Sequence, residues 1–222
     1  MDIFEAIKLR RSVRRYKDIP IEEDILNLLK KEIDECNKES GLNIQLITNE
    51  PKAFSGKMAN YGHFKGVKNY IALVGKNSSE FTEKCGYYGQ RIVLKAQQLG
   101  LNTCWVALTY SKQPEFIIFN KGEKLHIVIS VGYGEYQGNT RKSKSIKEIS
   151  NVSETSPEWF KRGVEAAILA PTAVNQQKFY LKLNSDNTVT AKAKVSFYTK
   201  TDLGIVKYNF EAAAGKENVS WK

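Results

Sequence analysis

The chain has 222 residues, 41% hydrophobic and 26% charged, which suffices for one buried core or two small fused halves. Its longest apolar runs, residues 70–74 and 127–131, are far too short to cross a bilayer, and MDIFEAIKLRR places an acid second with no apolar stretch behind it, so neither a membrane span nor a secretory signal is expected. The formal charge of +10 invites a nucleic-acid partner, but the lysines are spread along most of the chain and only Arg10, Arg11, Arg14 and Arg15 cluster tightly, so a lysine-rich solvated surface is the plainer reading.

The predicted elements run as follows. A short helix covers residues 2–9, with Ile3, Phe4 and Ile7 on one face. A second helix starts after Pro20 and carries Ile21, Ile25, Leu28, Leu29, Ile33 and Cys36 at helical spacing, with Glu22, Glu23 and Asp24 in its first turn. Residues 43–48 alternate like a strand. Pro51 stops that strand, and residues 57–66 read as loop. A buried strand is expected at 69–75, a long helix at 79–99 closed by Gly100, an extended segment at 103–107, a short helix from Pro114 to about 119, and a core strand at 126–131. Residues 142–149 read as a basic linker. A new unit then begins with a helix from Ser156-Pro157-Glu158, Ser156 being the N-cap candidate, and this helix breaks at Pro171. Strands at 179–183 and 189–198 turn through residues 184–187, and a last helix covers 202–214. Two of the helices align as GQRIVLKAQQLG (89–100) and GIVKYNFEAAAG (204–215), a weak internal repeat.

Several chemistries are disfavoured. Only two histidines occur, His63 and His126, with no CxxC and no local two-histidine spacing, so no metal site is expected. His126 lies in LHIVISV and reads as a core strand residue rather than a catalytic base. Cys36, Cys85 and Cys104 are odd in number and widely spaced, which argues against a disulfide framework and for a reducing, cytoplasmic compartment. FSGKM lacks the upstream glycine of a phosphate loop, and GYGEYQG has the wrong spacing for a dinucleotide fingerprint.

One constellation remains. In Arg10-Arg11-Ser12-Val13-Arg14 the side chains of Arg10, Ser12 and Arg14 fall on one side of an extended segment, where two guanidinium forks and a hydroxyl suit a phosphate. A basic surface turn is the alternative on this segment alone.

AIKLRRSVRRY resembles the opening of the nitroreductase family, whose R-R-S-x-R segment holds the FMN phosphate. GLNTCWVALT, ISVGYG, RKSKSIKEI and LAPTAVNQQKFYL resemble four further family segments in order, so the resemblance covers almost the whole chain. It implies an α+β fold with mixed or antiparallel sheets flanked by helices, FMN as cofactor, and NADH or NADPH as reductant for a small acceptor such as a nitroaromatic or quinone, in a ping-pong cycle with no catalytic side chain. It also implies site residues: Arg10, Arg11, Ser12 and Arg14 at the phosphate, with Lys142 and Lys144 adding charge; Ala107 and Leu108 near flavin N5; Asn60 at the pyrimidine edge; and Pro171, Thr172 and Asn175 beside the ring. Cys104 and Trp105 read as packing residues.

One departure is informative. The family's A-P-S-x-x-N segment usually follows the second helix, whereas here APTAVN stands at residues 170–175. The chain therefore resembles a subgroup in which two degenerate copies are fused, residues 1–150 carrying the phosphate end and 151–222 the partner's loop. A pseudo-dimeric monomer, or a homodimer, with one FMN per chain is expected, without nucleic-acid or membrane partners. A flavin-binding protein without turnover, and a basic phosphate- or RNA-binding protein, are the alternatives.

Overall fold

The structure is a computed structural model and describes residues 1–222, the side chain of Pro114 excepted. The helices are α1 (Ile3–Leu9), α2 (Glu23–Ser40), α3 (Lys57–Tyr61), α4 (Phe81–Gln98), α5 (Ile146–Ile149), α6 (Glu158–Ala167) and α7 (Thr199–Ala214). The strands are β1 (Gln45–Ile47), β2 (Tyr70–Lys76), β3 (Asn102–Val106), β4 (Glu123–Gly132), β5 (Phe179–Leu183) and β6 (Val189–Ala193). This is the expected α+β composition, and all ladder pairings are antiparallel.

The chain divides into two compact units. The sheet unit comprises residues 10–81 and 92–140. Its four strands run in the order β1-β2-β4-β3. The run YIALV of β2 is buried on both faces, which is why it reads as continuously apolar rather than alternating. Tyr70, Ala72 and Val74 pack with Phe54, Phe64, Val106 and Val128 on one side, and Ile71 and Leu73 are buried on the other. Leu73 pairs with Ile127 but Val74 with Leu125, so His126 is the extra residue of a β-bulge. Its ring meets the Phe81 ring edge-on at 5.7 Å, and burial together with Lys124 lowers its pKa to about 4.

The helical unit comprises residues 1–9, 82–91 and 141–222. It thus takes in α1 and the first half of α4 besides the residues beyond 150. α7 is its centre, buried on nearly every side. It packs on α6, where Phe160 and Phe210 meet at 5.6 Å and Gly163 leaves room for the Phe210 ring. Buried Glu211 accepts hydrogen bonds from Tyr87 of α4 and from the indole of Trp221. Gln90 donates to Asn209 at 2.9 Å, and Asn209 in turn donates to the Ala166 carbonyl at 3.0 Å, tying α4, α7 and α6 together.

Several local expectations are corrected. The stretch expected as loop holds α3, because residues 57–61 close a turn over the buried Ala59. The stretch expected as linker holds α5, nucleated by a capping box in which Ser145 and Glu148 satisfy each other's backbone. Pro157, not Ser156, stands at the N-cap of α6; the Ser156 hydroxyl accepts from the Ser153 amide instead. β6 ends at Ala193, five residues short of the predicted end, and α7 starts at Thr199, ahead of the predicted 202. Leu28, placed on the apolar face of α2, is 46% exposed.

The helix crossing of α4 and α7 depends on two glycines. A Cβ on Gly86 would lie 2.0 Å from the Thr201 carbonyl oxygen, and one on Gly204 2.0 Å from that of Glu83. Both obstacles are backbone, so neither can rotate away. Gly204→Ala is expected to destabilise the protein by roughly 1–3 kcal/mol through forced separation of the helices. Urea denaturation checks it; an unchanged midpoint would mean the helices do not approach this closely.

Candidate functional site

In the sheet unit the chain leaves residues 1–9 and runs as an extended segment against β3. The Val13 amide donates to the Thr103 carbonyl at 3.0 Å, and Ser12 forms a parallel bridge with Thr103. This register sets the segment beside Thr103 and the neighbouring Cys104. The thiol of Cys104 bonds the Ser12 side chain and feels the charge of both Arg14 and Arg10, yet burial dominates and pushes its pKa up. All three predicted residues therefore lie near Cys104.

Their environments differ. Arg10 is 2% exposed, the largest fully buried side chain among the described residues, while Ser12 is half-buried and Arg14 exposed. Arg14 lies over the Phe64 ring at 5.9 Å. Arg11 turns back to donate to the Arg10 carbonyl at 2.9 Å. Gly138 makes room for Arg11: it sits at φ 78°, and a Cβ there would come within 2.3 Å of the Arg11 Cβ.

Asn60 and the Ala107-Leu108 pair border neighbouring turns of this unit. Asn60 is exposed on α3, and Gly62 beyond it abuts Thr109, where a Cβ would reach 2.6 Å from the threonine. Ala107, half-buried, and Leu108, 67% exposed, follow the end of β3. Trp105 is half-buried and Cys104 buried within that strand.

In the helical unit the basic stretch and the APTAVN loop come together through Gln177, which sequence reading quoted in the motif but did not single out. Gln177 is 3% exposed. Its Oε1 accepts from the Lys144 amide at 2.9 Å and its Nε2 donates to the Lys142 carbonyl at 3.1 Å. Its own amide donates to Thr172 Oγ1 at 3.0 Å. Asn175 Nδ2 donates to the Lys142 carbonyl at 2.8 Å, and Lys144 Nζ to the Gln177 carbonyl at 2.9 Å. Of the predicted residues, Lys142, Lys144, Thr172 and Asn175 are therefore one bonded cluster, and Pro171 is buried at its start.

The loop is held in an uncommon backbone shape. Val174, Asn175 and Gln177 lie at φ 44°, 56° and 46°. A β-branched residue in the left-handed region is an outlier that surrounding bonds must maintain, and Val174 is 84% exposed at the tip. A second missed residue helps: buried Asp202 of α7 accepts from the Ala173 amide at 2.9 Å and from Gln176 Nε2 at 2.7 Å. No local signal marks Asp202, since it reads as an ordinary acid in a first helical turn.

Among the described residues no group of three or more His, Cys, Asp or Glu is placed to hold a metal ion, and no helix is long and apolar enough to cross a membrane.

A sheet of this order with these helices is the nitroreductase fold. The likeness extends to a "putative nitroreductase" from Thermotoga maritima MSB8, with TM-score 0.69 and 24% identity over 98% of this chain and 85% of that one. A nitroreductase solved in complex with FMN from Desulfovibrio desulfuricans matches with TM-score 0.53 and 18% identity, over 70% of this chain and 98% of that one. An FMN-dependent nitroreductase from Clostridium difficile R20291 matches with TM-score 0.51 and 18% identity, over 69% and 99%. A comparison with curated proteins gave no match. The family model described as "Putative TM nitroreductase" matches residues 2–214, and the chain belongs to that family.

Gln177→Ala removes an amide that serves three backbone groups. It is expected to cost about 1–3 kcal/mol, the scale of orphaned buried partners, and to open residues 171–177 to proteolysis. Chemical denaturation and limited proteolysis with mapped cleavage sites check this; cleavage unchanged from wild type would mean that Gln177 does not hold the loop.

Proposed function

We propose that this nitroreductase-family chain binds FMN, with the phosphate at Arg10, Ser12 and Arg14, and passes electrons from NADH or NADPH to a small acceptor such as a nitroaromatic or quinone. The observation that carries the reading is that buried Arg10, half-buried Ser12 and exposed Arg14 alternate along one extended segment bridged to Thr103 of β3, with both guanidinium groups near enough to Cys104 to act on its charge. Two guanidinium groups and a hydroxyl are a donor set that fits a phosphate dianion, each guanidinium able to fork onto two oxygens. Burial of Arg10 lowers the local dielectric and strengthens its attraction to an anion. The structures of the D. desulfuricans and C. difficile proteins carry the same fold, and those proteins are described as FMN-bound and FMN-dependent.

Bound FMN would supply the two-electron chemistry, accepting from the nicotinamide and giving to the acceptor in alternate half-reactions. The chain's part is position and charge. Arg10, Ser12 and Arg14 anchor the phosphate, with Arg11 behind them. The backbone at Ala107 and Leu108, just past β3, is the proposed neighbour of the ring's reactive edge, and Asn60 of its pyrimidine edge. Lys142 and Lys144 add positive potential. Pro171, Thr172 and Asn175 are the proposed ring-bordering residues, on the strength of the family motif they match. No side chain is assigned as general acid or base.

The stoichiometry is proposed to be one FMN per chain in a pseudo-dimeric arrangement of two degenerate halves. RRSVR and APTAVN each occur once. The D. desulfuricans chain is covered over 98% of its length by only 70% of this one, which leaves a remainder beyond a single family subunit.

Mass spectrometry of cofactor released from the purified protein is expected to give FMN at one per chain; FAD as the main species would contradict the phosphate assignment. Arg10→Ala and Arg14→Ala are each expected to weaken FMN binding by about 1.5–3 kcal/mol, the scale of a charged hydrogen bond. Titration followed by flavin fluorescence reads this, and unchanged affinity in both variants would place the phosphate elsewhere.

A further inference from the structure

We propose that Asp202 is the positioning residue of the 172–177 loop, and that it holds the loop in its FMN-bordering shape only as the carboxylate. The inference rests on the proposed place of that loop beside the flavin.

The loop has two anchors. Gln177 ties its C-terminal end to Lys142 and Lys144 through backbone groups. Asp202 ties the other limb, Oδ1 taking the Ala173 amide and Oδ2 taking Gln176 Nε2. Gln176 Nε2 also reaches the Phe197 carbonyl at 2.9 Å, so the same amide joins the loop to the approach to α7. Val174 and Asn175, both left-handed, lie between the two groups that Asp202 grips. The left-handed region is unfavourable for a β-branched residue such as Val174 unless its surroundings enforce it. The tip itself offers little enforcement, because Val174 is 84% exposed.

Both groups facing Asp202 are N–H donors. A carboxylate accepts from both. A carboxylic acid has one oxygen that must donate, so protonation costs a bond either way: that oxygen faces a donor, or the Gln176 amide turns its Oε1 to it and gives up the Nε2 bond to the Phe197 carbonyl. Asp202 is 6% exposed, and burial outweighs the two hydrogen bonds and raises its pKa to about 6. The influences on its titration are burial, Gln176 and the Ala173 amide; no charged side chain contributes. The sign follows. The folded-state pKa lies above the ordinary 3.8, so this group favours the folded chain more as pH falls from about 6 toward 3.8. Over the same window the loop loses a bond. The loop therefore loosens where global stability from this group rises, which separates the effect from acid unfolding.

Asp202→Asn copies the protonated state, with one acceptor and one donor group. Amide exchange of the FMN-free protein, read by residue at positions 173–177, is the primary measurement, with the thermal midpoint as a check on the fold. At about pH 7.5 the variant is expected to exchange about tenfold faster at Ala173 and to bind FMN about tenfold more weakly, the equivalent of one charged hydrogen bond. With each rate divided by the intrinsic exchange rate at that pH, wild type is expected to fall to the variant's protection and FMN affinity as pH falls through about 6, while the variant's protection stays flat. Gln176→Ala, which removes the Nε2 bonds to Asp202 and to the Phe197 carbonyl while leaving the Asp202 carboxylate in place, is expected to accelerate exchange at the same amides. Unchanged exchange in both variants overturns the inference, and a variant that keeps the wild-type pH dependence overturns the carboxylate requirement. Accelerated exchange with unaltered FMN affinity leaves the hold of Asp202 on the loop standing and overturns the placement of the loop beside FMN.

Discussion

Residues 10–17 are stitched to the sheet unit by main-chain hydrogen bonds on alternate sides, and the candidate site depends on that stitching. The Val13 amide bonds Thr103, the Tyr16 amide bonds Lys65, the Lys17 amide bonds Tyr133, and the Lys65 and Glu135 amides return to Arg14 and Arg15. The buried Tyr16 hydroxyl closes the segment on itself by donating to the Val13 carbonyl at 2.7 Å, and it lies 2.8 Å from Ser130 Oγ. A stretch with four arginines in six residues repels itself and would stay extended and mobile in water. Fixed to β3 and its surroundings, it buries Arg10, leaves Ser12 half-buried and Arg14 exposed, and sends Arg15 outward to an exposed ion pair with Glu135 at 2.9 Å, a contact worth little in itself. The ordering cost of this backbone is met by the sheet, which preorganises the segment for the anion proposed to bind it.

The second constraint is of the other kind. The 172–177 loop belongs to no sheet, and its left-handed residues are unfavourable by themselves. It keeps its shape because its own buried Gln177 side chain bonds the Lys142 and Lys144 backbone, and the buried Asp202 carboxylate takes its Ala173 amide and Gln176 side chain. One candidate element is thus held by a ladder and the other by side chains. The second kind responds to protonation and to single substitutions far more sharply than the first.

Legibility in the sequence followed the length over which a signal repeats. α2 and β2 were readable because six apolar positions at helical spacing and a run of five apolar residues are long patterns. The arginine segment was readable because alternation needs only a local extended backbone. α3 and α5 were missed because five and four residues carry no periodicity, and α5 depends on the Ser145-Glu148 box hidden in a basic stretch. His126 was readable as a strand residue, but the bulge that sets it apart is a matter of register between β2 and β4, which no local pattern records. Gln177 and Asp202 were beyond reach for the same reason: their partners lie about thirty residues away in the chain, and an acid in a first helical turn looks solvent-facing. The early start of α7 has a like cause, since Tyr198 at φ 56° opens the helix without a capping side chain.

The most direct measurement is the visible absorption spectrum of the purified protein under anaerobic conditions, before and after NADH or NADPH. A bound, oxidised flavin spectrum that bleaches with the nicotinamide and returns on adding a quinone or nitroaromatic is the predicted result. A colourless protein that takes up no FMN when it is supplied would contradict the account at its centre.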